Sequence, residues 1–354
     1  MQREYWPTIE WQHAKPEAVG MDPEKINELG NMINNKYSNL NGIVVVRKGY
    51  VIYERYYNGC GPLDVHNVAS ITKSVISALV GIAIDAGFIK SIDQKVLEFF
   101  PEYSPDAEDI LKRTVTLRHL LTMTAPFPFS WKEGNKRGQE AFDRLRRQRD
   151  WIMYILNLLG QNSQPGKFQY YTGGIHLLSA AITRTTGMCA REFANERLFG
   201  PLGMRVIPDQ KQAFGLLDVY SNKSTGWIKD PDGNSTGGFG LTLSLRDMAR
   251  FGFLYLNKGM WDTKQIISEK WVNESINPSV HLDLEGIGYN GYGYLWWLRE
   301  DNGISSFSAL GDGGNVICCI PEKDLIIAIA SKIILNAGDR WPLIEKCIIP
   351  ALLD

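Results

Sequence analysis

Ser70-Ile71-Thr72-Lys73 places a hydroxyl and an amine three positions apart at the head of an apolar run. If that run is helical, residues at this spacing share a face, with Cβ atoms ~5–6 Å apart, so the lysine nitrogen can reach the serine oxygen. A helix N-terminus carries partial positive charge, which stabilises a developing alkoxide and lowers the proton affinity of a nearby lysine. Burial lowers it further. Such a lysine can take the serine proton, a task that a solvated lysine with a pKa of ~10.4 performs poorly. The chemistry implied is nucleophilic attack by serine. A plainer reading makes Ser70 a helix N-cap and Lys73 a solvated residue of the first turn. Lysine argues against it, because a positive charge there opposes the helix dipole and stands ahead of residues that must be buried. The pattern alone is weak: twenty serines and twenty lysines in 354 residues produce about one S-x-x-K by chance.

Other candidates compete. Gly233-Asn234-Ser235-Thr236-Gly237 matches G-x-S-x-G, the strained strand-to-helix elbow that exposes a nucleophile. The elbow needs an apolar strand before it, whereas Lys229-Asp230-Pro231-Asp232 is a polar turn, and only His281 follows to complete a Ser, acid, His order. A glycine-rich loop is the expectation. His66 and His119 fit no such order either and are assigned structural roles. The five cysteines lack metal-ligand spacing with the five histidines. Cys60 reads as a small buried or loop thiol. With no metal or nucleotide motif, no cofactor is implied.

Lysine plus arginine number 38 against 39 acidic residues, a net charge of −1, without the uniform basic face that nucleic acid requires. The best apolar run, Val75 to Ile84, is too short to span a bilayer, and residues 1–20 lack a basic-then-apolar leader. Nucleic acid and membrane are excluded as partners. An odd number of cysteines, scattered apart from Cys318-Cys319, fits a reducing compartment, so a cytoplasmic location is expected.

The elements that must hold Ser70 and Lys73 follow from periodicity. Gly42 to Tyr57 alternates β-branched and aromatic residues around Lys48-Gly49, which predicts a hairpin. From Ser70, apolar residues at i, i+1, i+4, i+5 and i+8, with Gly87 beyond them, predict a helix. Further helices are expected at 116–123, 142–159, 175–185 and 245–256, the last capped by Ser244 with Asp247 three residues on. Strands are expected at 292–298, 316–320 and 325–330, then a closing helix at 341–353. Strands at both ends of a helical middle predict an α+β fold, an antiparallel sheet flanked by helices with an inserted mostly helical domain. The boundaries drawn are 1–90 with 230–354 for the sheet domain and 91–229 for the helical one.

Asn67-Val68-Ala69-Ser70-Ile71-Thr72-Lys73-Ser74 resembles the nucleophile motif of serine β-lactamases and penicillin-binding proteins, whose S-x-x-K opens a buried helix. Four more blocks fall in the order of that superfamily. They are Val115 to Thr124; Pro165-Gly166-Lys167-Phe168-Gln169-Tyr170; Gly237-Gly238-Phe239-Gly240-Leu241 with Arg246-Asp247-Met248-Ala249; and Tyr292 to Trp297. Residues 40 to 335 are thus similar to the class C β-lactamase-like branch, which includes carboxylesterases and 6-aminohexanoate-oligomer hydrolases. The resemblance implies a β-lactamase/transpeptidase-like fold and catalytic roles for Ser70, Lys73 and Tyr170. Tyr170 stands for the Y of Y-x-N, with Thr172 in place of Asn; Tyr171 and Tyr220, the latter in Tyr220-Ser221-Asn222, remain competitors. K-T-G falls on Asp312-Gly313-Gly314, without its lysine. The resemblance also implies an oxyanion hole from the backbone N–H groups of Ser70 and Asn315, with glycines that let substrate approach the backbone. A plain hairpin turn competes for that segment.

Loss of the lysine bears on substrate, because Asp312 facing the cleft would repel a β-lactam carboxylate. Neutral acyl compounds, or substrates with an amine near the carbonyl, are expected instead. Phe127, Phe129 and Trp131 either wall the acyl pocket or are packing. The partner expected is a small-molecule ester or amide, cleaved through a Ser70 acyl-enzyme, and oligomeric state is left open. Two alternatives stand beside this: a catalytically lapsed penicillin-binding or ligand-sensing scaffold, motivated by Thr172 and Asp312, and a D-amino-acid-directed peptidase.

Overall fold

A computed structural model of the chain describes residues 3–128, 144–161, 165–210, 225–283, 288–334 and 337–353. Helix α1 (Pro23–Lys36) starts where the Asp22 carboxylate accepts from the N–H groups of Glu24 and Lys25. The expected hairpin follows as β1 (Leu40–Arg47) and β2 (Tyr50–Tyr56), turning through Lys48 and Gly49, both at positive φ. A short β3 (Val65–Asn67) leads into α2 (Ile71–Asp85). The chain then passes through α3 (Ile110–Thr114), α4 (Leu117–Leu121), α5 (Trp151–Leu158), α6 (Thr172–Thr186) and α7 (Ala190–Ala194). It returns with β4 (Thr242–Ser244), paired with β3, and α8 (Leu245–Leu256), which Ser244 caps by accepting from Asp247 N.

The two-residue strands β5 (Met260–Trp261) and β6 (Lys264–Gln265) precede α9 (Glu269–Ser275). The last strands are β7 (Val280–His281), β8 (Gly291–Tyr292), β9 (Trp297–Asp301), β10 (Ile304–Gly311), β11 (Asn315–Ile320) and β12 (Leu325–Ser331). The described residues form an eight-stranded sheet in the order β2-β1-β12-β11-β10-β9-β8-β7, antiparallel throughout. The fold is α+β, with helices on both faces of the sheet.

Strand alternation divides the core between those faces. On β1, Val44 and Val46 join the core that holds α2 and α8, while Ile43 and Val45 join the core beneath α1 and the C-terminal segment. Ile317 and Cys319 of β11 face the first; Val316, Cys318 and Ile320 face the second. Adjacent Cys318 and Cys319 therefore point to opposite faces, and both are free thiols.

The single strand expected at 292–298 is two strands, because the chain turns between them: Gly293 N donates to Trp296 O and Leu295 has φ 63°. A Cβ at Gly293 would lie 2.1 Å from Ser275 O, so only glycine fits that approach. Strand β10, with three serines in Ile304-Ser305-Ser306-Phe307-Ser308, was hidden by its polarity; Ser306 and Ser308 are buried. The closing helix begins as α10 (Trp341–Leu343) and continues through a wider turn at Ile344–Ile348 and a tighter one at Ile349–Ala351.

Candidate active site

Ser70 sits at a forced bend. Ala69, buried just before it, has φ 47°, a left-handed conformation that costs a non-glycine residue about 1–3 kcal/mol. Hydrogen bonds hold it there: Ala69 N donates to Asn67 Oδ1 at 3.0 Å, and Thr72 Oγ1 donates to Ala69 O at 2.7 Å. Strand β10 presses on the same bend, since a Cβ at Gly311 would fall 2.2 Å from Val68 O. Ser70 occupies the N-cap position of α2, yet its side chain accepts no capping hydrogen bond. Ser70 therefore stands at the N-cap without capping, and its hydroxyl is turned to another partner.

That partner is Lys73, whose Nζ lies within hydrogen-bond distance of Ser70 Oγ, at 2.7 Å, and donates to the carbonyl of Gly238 at 2.8 Å. Every residue from Ile71 to Ala83 is buried, so the first turn that carries the lysine is dry; Lys73 itself is 1% exposed. Desolvation lowers the lysine pKa to about 7, against the smaller upward pull of the Asp312 carboxylate. The Tyr170 ring lies 4.9 Å from Nζ and its phenol hydrogen-bonds with Ser70. Burial raises the phenol pKa far above its usual value, with Asp312 adding to the rise, so Tyr170 keeps its proton at neutral pH. Stacking on Trp297, at 5.7 Å between ring centroids, fixes the ring.

Of the competing tyrosines, Tyr171 turns the other way, its ring 4.5 Å from that of Phe127 in the core. Tyr220 lies outside the described residues, as do Phe129 and Trp131. Phe127 is a buried core residue. Thr172, in the first turn of α6, meets the site through its methyl: a Cβ on Gly238 would lie 2.6 Å from Thr172 Cγ2 and 3.4 Å from Lys73 Cε. Thr172 thus presents carbon to Gly238, the residue whose carbonyl holds the lysine, where an Asn would have offered an amide.

The segment Asp312–Gly314 is the tight turn between β10 and β11. Asp312 is exposed and acts electrostatically on both Lys73 and Tyr170. Gly313 and Gly314 are placed differently from expectation: Cβ atoms there would strike Lys332 O at 2.6 Å and the Arg340 guanidinium at 2.5 Å. They let the turn pack against its own scaffold, where Gly313 O accepts from Asn39 Nδ2 and an Arg340 nitrogen. The glycine that approaches the nucleophile segment is Gly311. Asn315 is wholly buried, its side chain donating to Asp312 O and accepting from Ser331 N. The side chain thus braces the turn from beneath, and Asp312 is its exposed residue.

Ser235 is buried, and its Oγ accepts from Arg191 N, so the G-x-S-x-G match is a packed loop. His66 is buried in β3 with Nδ1 3.3 Å from Asn41 Nδ2, and His119 Nδ1 accepts from Thr116 N at its own helix start. Two features escaped the sequence reading. One is the Gly238 carbonyl as the lysine's second acceptor, 165 positions from Lys73; the other is a buried His176–Asp230 pair at 2.9 Å. The Gly237–Leu241 block carried a signal for the first. Nothing local marked the second, whose members are 54 positions apart.

Residues 38–338 match the family model described as Beta-lactamase. A 6-aminohexanoate-dimer hydrolase from Paenarthrobacter ureafaciens is 23% identical over 299 residues, covering 80% of this chain and 70% of that protein. Among solved structures, the octameric penicillin-binding protein homologue from Pyrococcus abyssi aligns with a TM-score of 0.69 at 20% identity, over 93% of this chain and 77% of its own. A D-stereospecific amidohydrolase from Streptomyces sp. aligns at 0.68 and 16% identity, over 93% and 99%. At these identities the structural likeness speaks for the fold.

Proposed function

The chain belongs to the beta-lactamase family, and on that premise we propose that it is a serine hydrolase cleaving ester or amide bonds of small acyl substrates through an acyl-enzyme on Ser70. The observation that carries the reading is the 2.7 Å approach of a buried lysine nitrogen to a serine oxygen released from capping. The hydrolase names among its relatives support the general class.

With a pKa of about 7, Lys73 is substantially neutral at physiological pH, whereas the Tyr170 phenol stays protonated. That ordering assigns the roles. One N–H of the neutral amine rests on Gly238 O, and its lone pair takes the Ser70 proton as Oγ attacks the carbonyl carbon. The oxyanion is held by the Ser70 N–H and by an N–H of the exposed Asp312 turn. Collapse breaks the bond to the leaving group, which takes a proton from the Lys73–Tyr170 pair. Water then adds to the acyl ester, the acyl–Oγ bond breaks, the carboxylic acid leaves and one proton of that water returns to Ser70 Oγ.

A fluorophosphonate probe is expected to label one site, and digestion with mass mapping to place the adduct on Ser70. Absence of label under conditions where a control serine hydrolase reacts would overturn the reading; label without turnover of any ester or amide would favour the ligand-sensing scaffold.

Asp312 refines the substrate class. Its carboxylate already acts on Lys73 and Tyr170, so a negative charge on the substrate near the scissile bond meets repulsion, whereas a neutral or amine-bearing acyl group does not. A chromogenic cephalosporin should show kcat/KM at least ~10-fold below that of a p-nitrophenyl ester, about 1.4 kcal/mol of discrimination. Faster cephalosporin turnover would refute this preference.

A further inference from the structure

The loop that presents Gly238 O to Lys73 has its own support. Gly237 N, one residue earlier, donates to His176 Nδ1 at 3.3 Å. A backbone N–H can only donate, so Nδ1 is the acceptor and the ring proton is on Nε2. Nε2 in turn meets Asp230 Oδ2 at 2.9 Å. Asp230 is held by three more donors: Asn234 N at 2.8 Å and Asp232 N at 3.0 Å on Oδ1, and Asn234 Nδ2 at 2.9 Å on Oδ2. Histidine and aspartate are 3% and 0% exposed. A Cβ at Gly237 would lie 2.2 Å from Ile175 O, so this loop lies directly on the first turns of α6.

We propose that His176, braced by Asp230, is a positioning residue for the Ser70–Lys73 pair: by fixing the Gly237 N–H it sets where the Gly238 carbonyl stands, and so which way the lysine nitrogen directs its remaining valences. The proposal rests on the serine-hydrolase reading above. Its physical basis is that, among the described residues, a single carbonyl, 2.8 Å from Nζ, orients the amine besides Ser70 itself. Lysine has a flexible stem and rotatable donors. If Gly238 O shifts, the lone pair no longer bears on Ser70 Oγ, and misplacement of a reacting group by ~1 Å can reduce rate by ~10²-fold.

Two substitutions separate positioning from packing. His176→Asn retains an acceptor at the Nδ1 location but lacks the bond to Asp230; His176→Gln reaches Asp230 but places no acceptor beside Gly237. On a p-nitrophenyl ester, His176→Gln is expected to lower kcat ~10- to 100-fold with KM changed less than ~3-fold, while His176→Asn stays within ~5-fold of wild type. That order should hold even where both melt at similarly reduced temperatures. Equal activities for the two variants, or losses that follow thermal stability alone, would overturn the proposal.

A measurement on the unaltered protein stands apart from folding of the variants. Nitrogen-15 chemical shifts should report a bare Nδ1 and a protonated Nε2 for the histidine whose ring contacts Trp151, 5.4 Å away between centroids. A proton on Nδ1 would refute the hydrogen-bond chain on which the proposal depends. Failure of Ser70 labelling would instead remove the hydrolase reading, so the two failures are told apart.

Discussion

Ser70→Ala is expected to abolish fluorophosphonate labelling and to lower ester turnover by roughly 10³- to 10⁶-fold, leaving only what binding and the oxyanion donors contribute without a nucleophile. The size of the effect follows from the loss of the one hydroxyl seen 2.7 Å from Lys73 Nζ among the described residues; the hydroxyls flanking the lysine in sequence are engaged elsewhere, Thr72 Oγ1 on Ala69 O and Ser74 Oγ on Leu295 O. The variant should fold. Ser70 contributes no capping bond to α2, and Lys73 keeps its hydrogen bond to Gly238 O, so the stability change should stay within about 1 kcal/mol. Thermal melts beside kinetics separate chemistry from unfolding. A Ser70→Ala protein with the wild-type melt and more than a tenth of wild-type turnover would exclude Ser70 as the nucleophile.

The second large effect is on pH dependence. A general base works only when unprotonated, so kcat/KM for a neutral ester should be level above the Lys73 pKa of about 7 and fall about tenfold per unit below it. Asp312 raises that pKa, so Asp312→Asn should move the limb to lower pH. Lys73→Arg retains a positive charge that cannot be shed and should lose ~10³-fold or more at every pH. The checking measurement is a profile from pH 5 to 10 with correction for spontaneous ester hydrolysis. A limb near 10, where a solvated lysine titrates, would mean that the amine is not held dry. In stability the sign is the same: between pH 7 and 10.5 the unfolded lysine binds a proton that the folded one has lost, so this residue's contribution to stability rises with pH across that window.

The parts of the molecule legible in the sequence are those set by neighbours along the chain. The hairpin of β1 and β2, helix α2 and the β11–β12 pair obey periodicities that a few residues suffice to reveal. Strand β10 was missed because its serines look solvent-facing, whereas Ser306 and Ser308 are buried in the sheet. The turn between β8 and β9 was missed because the aromatic run Tyr292 to Trp297 reads as extended, and only the closeness of Ser275 O makes Gly293 bend.

At the site the division is the same. Sequence alone determined that Ser70 and Lys73 face each other, because one helical turn fixes that distance whatever surrounds it. The five blocks in order pointed to Tyr170 as the third partner. Tertiary structure decided what kind of lysine this is, whether the serine hydroxyl caps the helix or meets the lysine, and which glycine touches the segment before Ser70. Desolvation is the sum of all that packs around a group, and here it includes Gly238, remote in the chain, whose carbonyl takes the lysine's hydrogen bond. A hydrogen bond between His176 and Asp230 likewise exists only once the chain has closed the distance between them.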